Sequence, residues 1–241
     1  MATITPLPRP IRAMAAFCLL AAAALAAAPL AGEHPVTWSA ALDLTSLADI
    51  EARLAKPFGE PVGATLKGRA AQAANCPELL KLRAKGYQGE SDRGYALERY
   101  EGARCLALTL LKQARPARTS HFGQFRLNPQ ALGVLPPTLA TSFSTIEDED
   151  ERQAESAGKS LQQYQPGLNA RLEEEVLIVS TDTWESRIEI YARGDFDGDG
   201  AEDLLVAVHE KATHGTFHGT KLLMLTRKTP QGPLHTLKQV Q

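Results

Sequence analysis

The fold is decided by residues 187–208, which read RIEIYARGDFDGDGAEDLLVAV. Residues 187–192 alternate between polar and apolar side chains, and this period of two predicts a β-strand with one buried face. Residues 204–208 are apolar without interruption, which is typical of a strand that is buried on both faces. Because the connection between them is short, we expect the two strands to be antiparallel neighbours rather than parallel strands linked by a helix.

The same pattern continues on both sides of this stretch. The apolar run at residues 176–179 and the largely apolar run at 221–226 predict one more strand on each side, again with short connections. Residues 172–228 are therefore predicted to form an antiparallel β-meander. Since two of its strands have the pattern of burial on both faces, helices from elsewhere in the chain are expected to cover the sheet.

The part of the chain before this sheet, residues 37–165, carries helical signals. A short helix is expected at residues 46–54, and residues 75–78, which read NCPE, have the cap, the proline and the acid of a helix start. The longest helix is predicted at residues 91–114, where apolar residues recur at helical spacing. We therefore predict an α+β fold, with N-terminal helices packed on the C-terminal antiparallel β-meander, in a single domain over residues 33–241.

Residues 147–151 form an unbroken run of five acids. Ser144 and Thr145 each lie three residues before an acid, as the first residue of a capping box does, so we interpret the run as the solvated start of a helix. The alternative is a functional patch that collects cations or steers a charged partner.

Residues 1–32 have the composition of a secretory signal peptide. Arg9 and Arg12 precede the uncharged, alanine-rich run 13–30, which is followed by small residues. We expect the segment to be removed on export, so that the protein is periplasmic or secreted and contacts the membrane only through this segment before cleavage. A retained membrane anchor is the alternative, because the apolar run of 18 residues is at the lower edge of the length that spans a bilayer.

Two cysteines lie outside the signal segment, Cys76 and Cys105. In an oxidising compartment such a pair is typical of a disulfide, here between the start of one predicted helix and the middle of the next. Closing a loop of about 30 residues contributes roughly 3.6 kcal/mol to stability in the chain-entropy description. Two free, buried thiols are the alternative.

The connection within the opening stretch carries the one pattern that indicates chemistry. Aspartates occupy positions 1, 3, 5 and 9 of a loop: Asp195, Asp197, Asp199 and Asp203. Gly200 at position 6 allows a tight turn, and the carbonyl of Ala201 offers one more oxygen. Four carboxylates this close repel one another unless a cation neutralises them, and oxygen ligands favour calcium over zinc. The alternative is a hairpin turn without an ion, which Asp-Gly pairs also favour.

This motif, DxDGDGxxD between two strands, resembles the calcium loops of FG-GAP and integrin-type repeats and the first half of an EF-hand loop. The resemblance covers residues 193–208 and implies a calcium ion held by the four aspartates and the Ala201 carbonyl. Position 12 is Val206 instead of the bidentate glutamate of an EF-hand, and the motif occurs once, whereas a propeller needs several copies. We therefore expect a structural ion, bound at about 10⁻⁴–10⁻³ M, and the fold of neither family.

Three histidines, His209, His214 and His218, form a weaker candidate for a metal site. The zinc-protease pattern needs a second histidine four residues after His209, where Thr213 stands. Histidines in a loop rich in Gly and Thr are more often exposed than zinc-bound, so we predict no zinc site.

The formal net charge of −2 argues against a nucleic-acid-binding protein. Since the sequence contains no recognisable catalytic motif, we predict an exported calcium-binding protein that is non-enzymatic and binds another macromolecule, a protein partner, in the cell envelope. An immunity or inhibitor protein is a specific form of this prediction. The alternative is an envelope hydrolase whose carboxylates act near the bound ion.

Overall fold

The computed structural model describes Met1 and residues 32–240 of the chain. Apart from its two end residues, the predicted signal peptide at residues 1–32 lies outside the described residues. In the part that is described, no helix is long and apolar enough to cross a membrane.

The chain forms nine strands and five α-helices within this part. The strands are β1 (Thr37–Trp38), β2 (Val62–Leu66), β3 (Arg69–Ala73), β4 (Asn169–Glu173), β5 (Val176–Ser180), β6 (Trp184–Gly194), β7 (Asp203–Ala212), β8 (His218–Arg227) and β9 (Leu234–Val240). The α-helices are α1 (Ile50–Ala55), α2 (Cys76–Ala84), α3 (Asp92–Gln113), α4 (Thr145–Ser156) and α5 (Leu161–Tyr164). Short 3₁₀ helices lie at Ala40–Leu42, Leu47–Asp49, Pro129–Gly133 and Pro137–Leu139.

Strands β4 to β9 form one antiparallel sheet in which each strand pairs with its neighbour in the chain. β1 adds a seventh strand beside the second half of β6, where Trp38 lies opposite Ala192. The predicted α+β class and antiparallel meander are confirmed, and the four predicted strands correspond to β5 to β8. The sheet covers residues 169–240, beyond the expected 172–228, because the polar, exposed residues of β4 and β9 obscured their alternation.

A two-stranded hairpin, β2–β3, interrupts the part of the chain for which only helices were expected. Its strands are rich in Ala and Gly, which are uncommon in strands, and this composition concealed them. Lys67 and Gly68 connect the two strands with φ angles of +49° and +78°, as a tight two-residue hairpin turn requires. Residues 37–165 are therefore helical only in part.

Each face of the sheet is buried against a different layer. On one face α3 packs across β6, β7 and β8, and Leu205 and Leu222 belong to the core beneath it. On the other face, residues 122–140 and α5 cover Leu204 and Val206. Alternate residues of β7 therefore point into two cores, as its apolar run predicted. The expected helices supply the first layer, whereas the second is mostly irregular chain.

The helix starts agree with the sequence analysis. Asn75, Ser91 and Ser144 cap α2, α3 and α4, and each side-chain oxygen accepts a hydrogen bond from the amide three residues ahead. The acidic run 147–151 therefore does begin a helix. The helix expected at residues 46–54 consists of a 3₁₀ turn followed by α1.

The disulfide between Cys76 and Cys105 is present and joins the start of α2 to the middle of α3. The two Cα atoms are 5.3 Å apart, and both residues are buried. The bridge therefore holds together two helices of the layer that covers one face of the sheet.

Removal of this disulfide in a Cys76→Ala/Cys105→Ala variant is expected to lower the free energy of unfolding by about 3–4 kcal/mol, because the bridge restricts the unfolded chain. Urea unfolding of variant and wild type measures the difference. Reduced wild-type protein should unfold at the same lower urea concentration as the variant. Equal midpoints for the oxidised wild type and the variant would contradict a stabilising bridge.

The acidic helix α4 reaches into the protein at Glu151, which is 3% exposed. The ammonium group of Lys221 lies 3.8 Å from a carboxylate oxygen of Glu151 and 3.2 Å from one of Glu210, and it donates a hydrogen bond to the Ala140 carbonyl. Two carboxylates thus share one buried cation. Burial raises the pKa of Glu151 to about 8, although the charge of Lys221 opposes the increase.

Because the folded protein holds the Glu151 proton more tightly than the unfolded chain, the free energy of unfolding should fall as the pH rises from 4.5 to about 8. A Glu151→Gln variant lacks this group. Between about pH 5 and pH 8 its free energy of unfolding should therefore fall by less than that of the wild type, and the difference should be at most about 4 kcal/mol. Urea unfolding across this range measures both profiles. Glu149→Gln, on the exposed side of α4, is the control that should follow the wild type, and parallel profiles for all three proteins would refute the assignment.

Candidate metal centre

The loop between β6 and β7 is docked through its backbone on the segment that follows α3. Asp195 and Arg115 exchange two backbone hydrogen bonds, of 2.9 and 3.1 Å. The Gly200 carbonyl accepts two more, of 2.8 Å from the Arg118 amide and of 3.1 Å from the Thr119 amide. Residues 115–119 therefore hold both ends of the loop, and this contact was not predicted from the sequence.

Asp195 organises the inside of the loop. It is 5% exposed, and its two carboxylate oxygens accept hydrogen bonds from the amides of Gly198, at 2.6 Å, and Gly200, at 3.0 Å. Both glycines have a φ angle of +87°, which other residues adopt only with strain. The glycine expected at position 6 is thus required by the backbone itself.

Three of the predicted ligands form a group that could hold a metal ion. One carboxylate oxygen from each of Asp195, Asp197 and Asp203 lies within 4.8 Å of the other two. The group joins both ends of the loop, since Asp203 is the first residue of β7. Carboxylate oxygens suit a hard divalent cation such as calcium, magnesium or manganese.

Asp203 is the member of this group whose carboxylate is only partly paired. It is fully buried, and its Oδ2 accepts a hydrogen bond of 3.2 Å from the Phe196 amide, whereas within the described residues no hydrogen bond reaches its buried Oδ1. Burial raises the pKa of Asp203 to about 7 and the negative charges of Asp197 and Asp199 add to the increase, whereas the Phe196 amide and the Thr226 hydroxyl oppose it. A cation between the aspartates would give Oδ1 a partner and offset the repulsion, so these residues fit a metal ion.

The other two predicted ligands lie beside the group. The Asp199 carboxylate is exposed and accepts a hydrogen bond of 2.6 Å from the Ala201 amide, and Asp197 accepts a similar bond of 3.0 Å from the Asp199 amide. Contacts from an aspartate to the amide two residues on are Asx turns, which favour this residue in loops. The roles of Asp199 and of the Ala201 carbonyl as ligands stay predictions.

Glu202 is a buried residue of the loop that the sequence analysis did not single out. It is 8% exposed, and its Oε2 accepts a hydrogen bond from the Ser120 hydroxyl. Its Oε1 lies 4.0 Å from Nη1 of Arg193, whose Nη2 donates a hydrogen bond of 2.6 Å to the Phe125 carbonyl. No sequence signal could have identified these contacts, because their partners are distant in the chain.

The histidines do not gather into a metal site within the described part of the chain. The two ring nitrogens of His209 lie 3.1 Å from the Thr220 hydroxyl and 3.3 Å from the Tyr191 hydroxyl. Burial lowers the pKa of His209 to about 4, so the ring is neutral at physiological pH. His214 and His218 are exposed, as their loop composition suggested.

The chain matches no known protein family, no curated protein and no solved structure. The resemblance to FG-GAP, integrin-type and EF-hand loops therefore stays a prediction, based on the loop residues alone. The envelope hydrolase stays a prediction as well.

Gly198→Ala and Gly200→Ala form a matched pair, since alanine must adopt the same φ angle of +87° in both. Each should lower the free energy of unfolding by roughly 1–2 kcal/mol through backbone strain. A Cβ atom at Gly198 meets open space, and one at Gly200 would lie 2.6 Å from Nη2 of Arg118, which is the end of an exposed, flexible side chain that can move away, so the two losses should be similar. Urea unfolding in EDTA measures both losses, and unchanged stability in either variant would contradict the left-handed backbone of the loop.

Proposed function

We propose that the protein is an exported, non-enzymatic calcium-binding protein that binds another macromolecule in the cell envelope. In this proposal, a calcium ion held by the loop from Asp195 to Asp203 fixes the β6–β7 connection on the segment that follows α3. The ion is structural and stabilises a surface to which a protein partner binds. The specific form proposed, by analogy with other small acidic exported proteins, is an immunity or inhibitor protein.

The observation that carries the calcium proposal is the buried Asp203 Oδ1 atom, which has no hydrogen-bond partner among the described residues and belongs to a residue grouped with two other aspartates. Leaving a buried polar atom without a partner costs on the order of 1–3 kcal/mol, and more for a charged group. A hairpin turn without an ion does not need a carboxylate at this position. A cation among the three carboxylates supplies the missing partner.

Calcium is proposed over magnesium because the donors form an irregular set. Asp195 and Asp203 already accept hydrogen bonds from backbone amides, so only some of their lone pairs are free for an ion. Magnesium demands near-ideal octahedral geometry, whereas calcium tolerates irregular arrangements of roughly six to eight oxygens. Since Val206 stands where an EF-hand has its bidentate glutamate, we expect weak binding, at about 10⁻⁴–10⁻³ M.

Export and partner binding have separate support. Residues 1–32 have the composition of a signal peptide, and the disulfide agrees with an oxidising compartment, where such bridges persist. On the surface, α4 presents exposed acids beside the exposed apolar side chains of Phe143 and Ile146. Exposed apolar side chains bordered by charge are a feature of protein-binding surfaces.

Calcium should raise the melting temperature of the purified protein relative to the same protein in EDTA. At about 10 mM calcium, the expected affinity corresponds to roughly 1.4–2.7 kcal/mol of stabilisation, or a shift of about 3–10 °C. Differential scanning calorimetry measures the shift, and magnesium at the same concentration should produce less than half of it. An unchanged melting temperature in calcium would refute the site.

An Asp203→Asn variant tests whether the shift comes from this loop. It keeps the shape of the side chain but removes the charge, so calcium should no longer stabilise the protein. Asp182→Asn changes an exposed aspartate outside the loop and is the matched control that should keep the full shift. A calcium shift that survives in Asp203→Asn would locate the ion elsewhere.

A further inference from the structure

A cleft of about 790 Å³ opens beside the metal loop, along one edge of β6. β5 pairs with this edge as far as Ile188, and β1 pairs with it from Ala192 onward. Between the two strands, Glu189 and Ile190 of β6 have no strand paired on this edge within the described residues, and both line the cleft there. The cleft is therefore a consequence of two short strands sharing one edge of a longer one.

More acidic than basic residues line this cleft, and some of their charged groups already have partners. Four glutamates line it, Glu174, Glu175, Glu189 and Glu202, against two arginines, Arg126 and Arg193. The guanidinium group of Arg193 is already engaged, since it donates to the Phe125 carbonyl and lies beside Glu202. Arg126 is exposed. Of the four glutamates, Glu174 and Glu175 are exposed and Glu202 is engaged by Ser120 and Arg193, which leaves Glu189 as the half-buried carboxylate of the cleft that is not paired with either arginine in the described structure.

Glu189 is the carboxylate best placed to receive a ligand. It is half-buried, and the contact to its Oε1 is a long hydrogen bond, of 3.4 Å, from the Ser39 hydroxyl. Trp38, next to Ser39, also lines the cleft, and its indole nitrogen donates to the Leu44 carbonyl, which holds the ring in place. A fixed aromatic ring near a carboxylate is a suitable environment for an organic cation.

The environment of Glu189 also favours a ligand of positive charge. Burial raises the pKa of Glu189, and the nearby carboxylate of Glu175 adds to this increase, although Ser39 and Arg187 oppose it. A cation bound in the cleft would stabilise the ionised form of both carboxylates.

We propose that this cleft binds a lysine or arginine side chain of a partner protein, with Glu189 accepting hydrogen bonds from its charged group and Trp38 packing against it. The inference deepens the proposed function and rests on the part of it that concerns partner binding, because it names the docking place and the chemistry of the partner. Binding of this side chain in the cleft does not require calcium. Glu202, which belongs to the loop from Asp195 to Asp203, also lines the cleft.

The test uses capped tripeptides as probes, with the purified, ¹⁵N-labelled protein. Acetyl-glycyl-lysyl-glycinamide and its arginine counterpart should shift the NMR signals of the Trp38 indole N–H and the Glu189 amide, with saturation in the millimolar range. The norleucine counterpart has a similar apolar chain without the charge and should leave both signals in place. Equal shifts with norleucine would overturn the inference, as would no shift with either cationic peptide.

Variants then locate the site. Glu189→Gln keeps the shape of the side chain and removes its charge, so it should weaken binding of the lysyl peptide at least about tenfold. Glu90→Gln removes an exposed glutamate that does not line the cleft, and it should bind the peptide as the wild type does. Unaltered binding in Glu189→Gln would refute the assignment.

Calcium stabilisation, measured by calorimetry on the same samples, separates this inference from the calcium proposal. Glu189→Gln should keep the full calcium shift, because the residue lies outside the metal loop. If calcium stabilises the protein but the lysyl peptide does not bind, the cleft inference fails and the calcium site stands. If the peptide binds and calcium has no effect, the calcium proposal fails and the cleft inference stands.

Discussion

Burial of β7 on both faces is the constraint on which the rest of the structure depends. Leu204 and Leu205 point into different cores, so each face of the sheet needs its own covering layer. The chain supplies α3 on one face and residues 122–140 on the other. It must therefore pass from one face to the other between these elements, and it does so at the end of the sheet where β6 connects to β7. The docking of residues 115–119 on the metal loop follows from this passage.

The candidate metal centre is a consequence of the same burial. Asp203 begins β7, so the strand that needs an apolar environment on both faces takes a carboxylate into the interior with it. The loop before it then supplies Asp195 and Asp197. A similar conflict occurs further along the sheet, where Lys221 of β8 is buried with two acids. There the protein provides its own cation, whereas the group that contains Asp203 could hold a metal ion.

Local features of the chain were predictable, and the layers that cover the sheet were not. The strands β5 to β8, the caps of α2 to α4, the disulfide and the aspartate loop all follow from residues that are close in sequence or from a matched pair of cysteines. The hairpin β2–β3 was concealed because its small side chains show no clear alternation. Residues 122–140 were recognised as rich in loops, but nothing in their pattern indicated that they would cover a sheet face. For such a segment, burial depends on the surface that it meets.

The class of fold, the antiparallel order of the central strands and the position of the candidate ion loop follow directly from the amino-acid sequence. These are set by side-chain periodicity, by turn residues and by the spacing of the aspartates, which act over a few residues. Only the tertiary structure decided that Asp203 would have an unpaired oxygen, that Ser120 would bind Glu202 and that β1 and β5 would leave a cleft along β6. Each of these depends on contacts between residues that are distant in the chain, and such contacts exist only after both faces of the sheet have been covered.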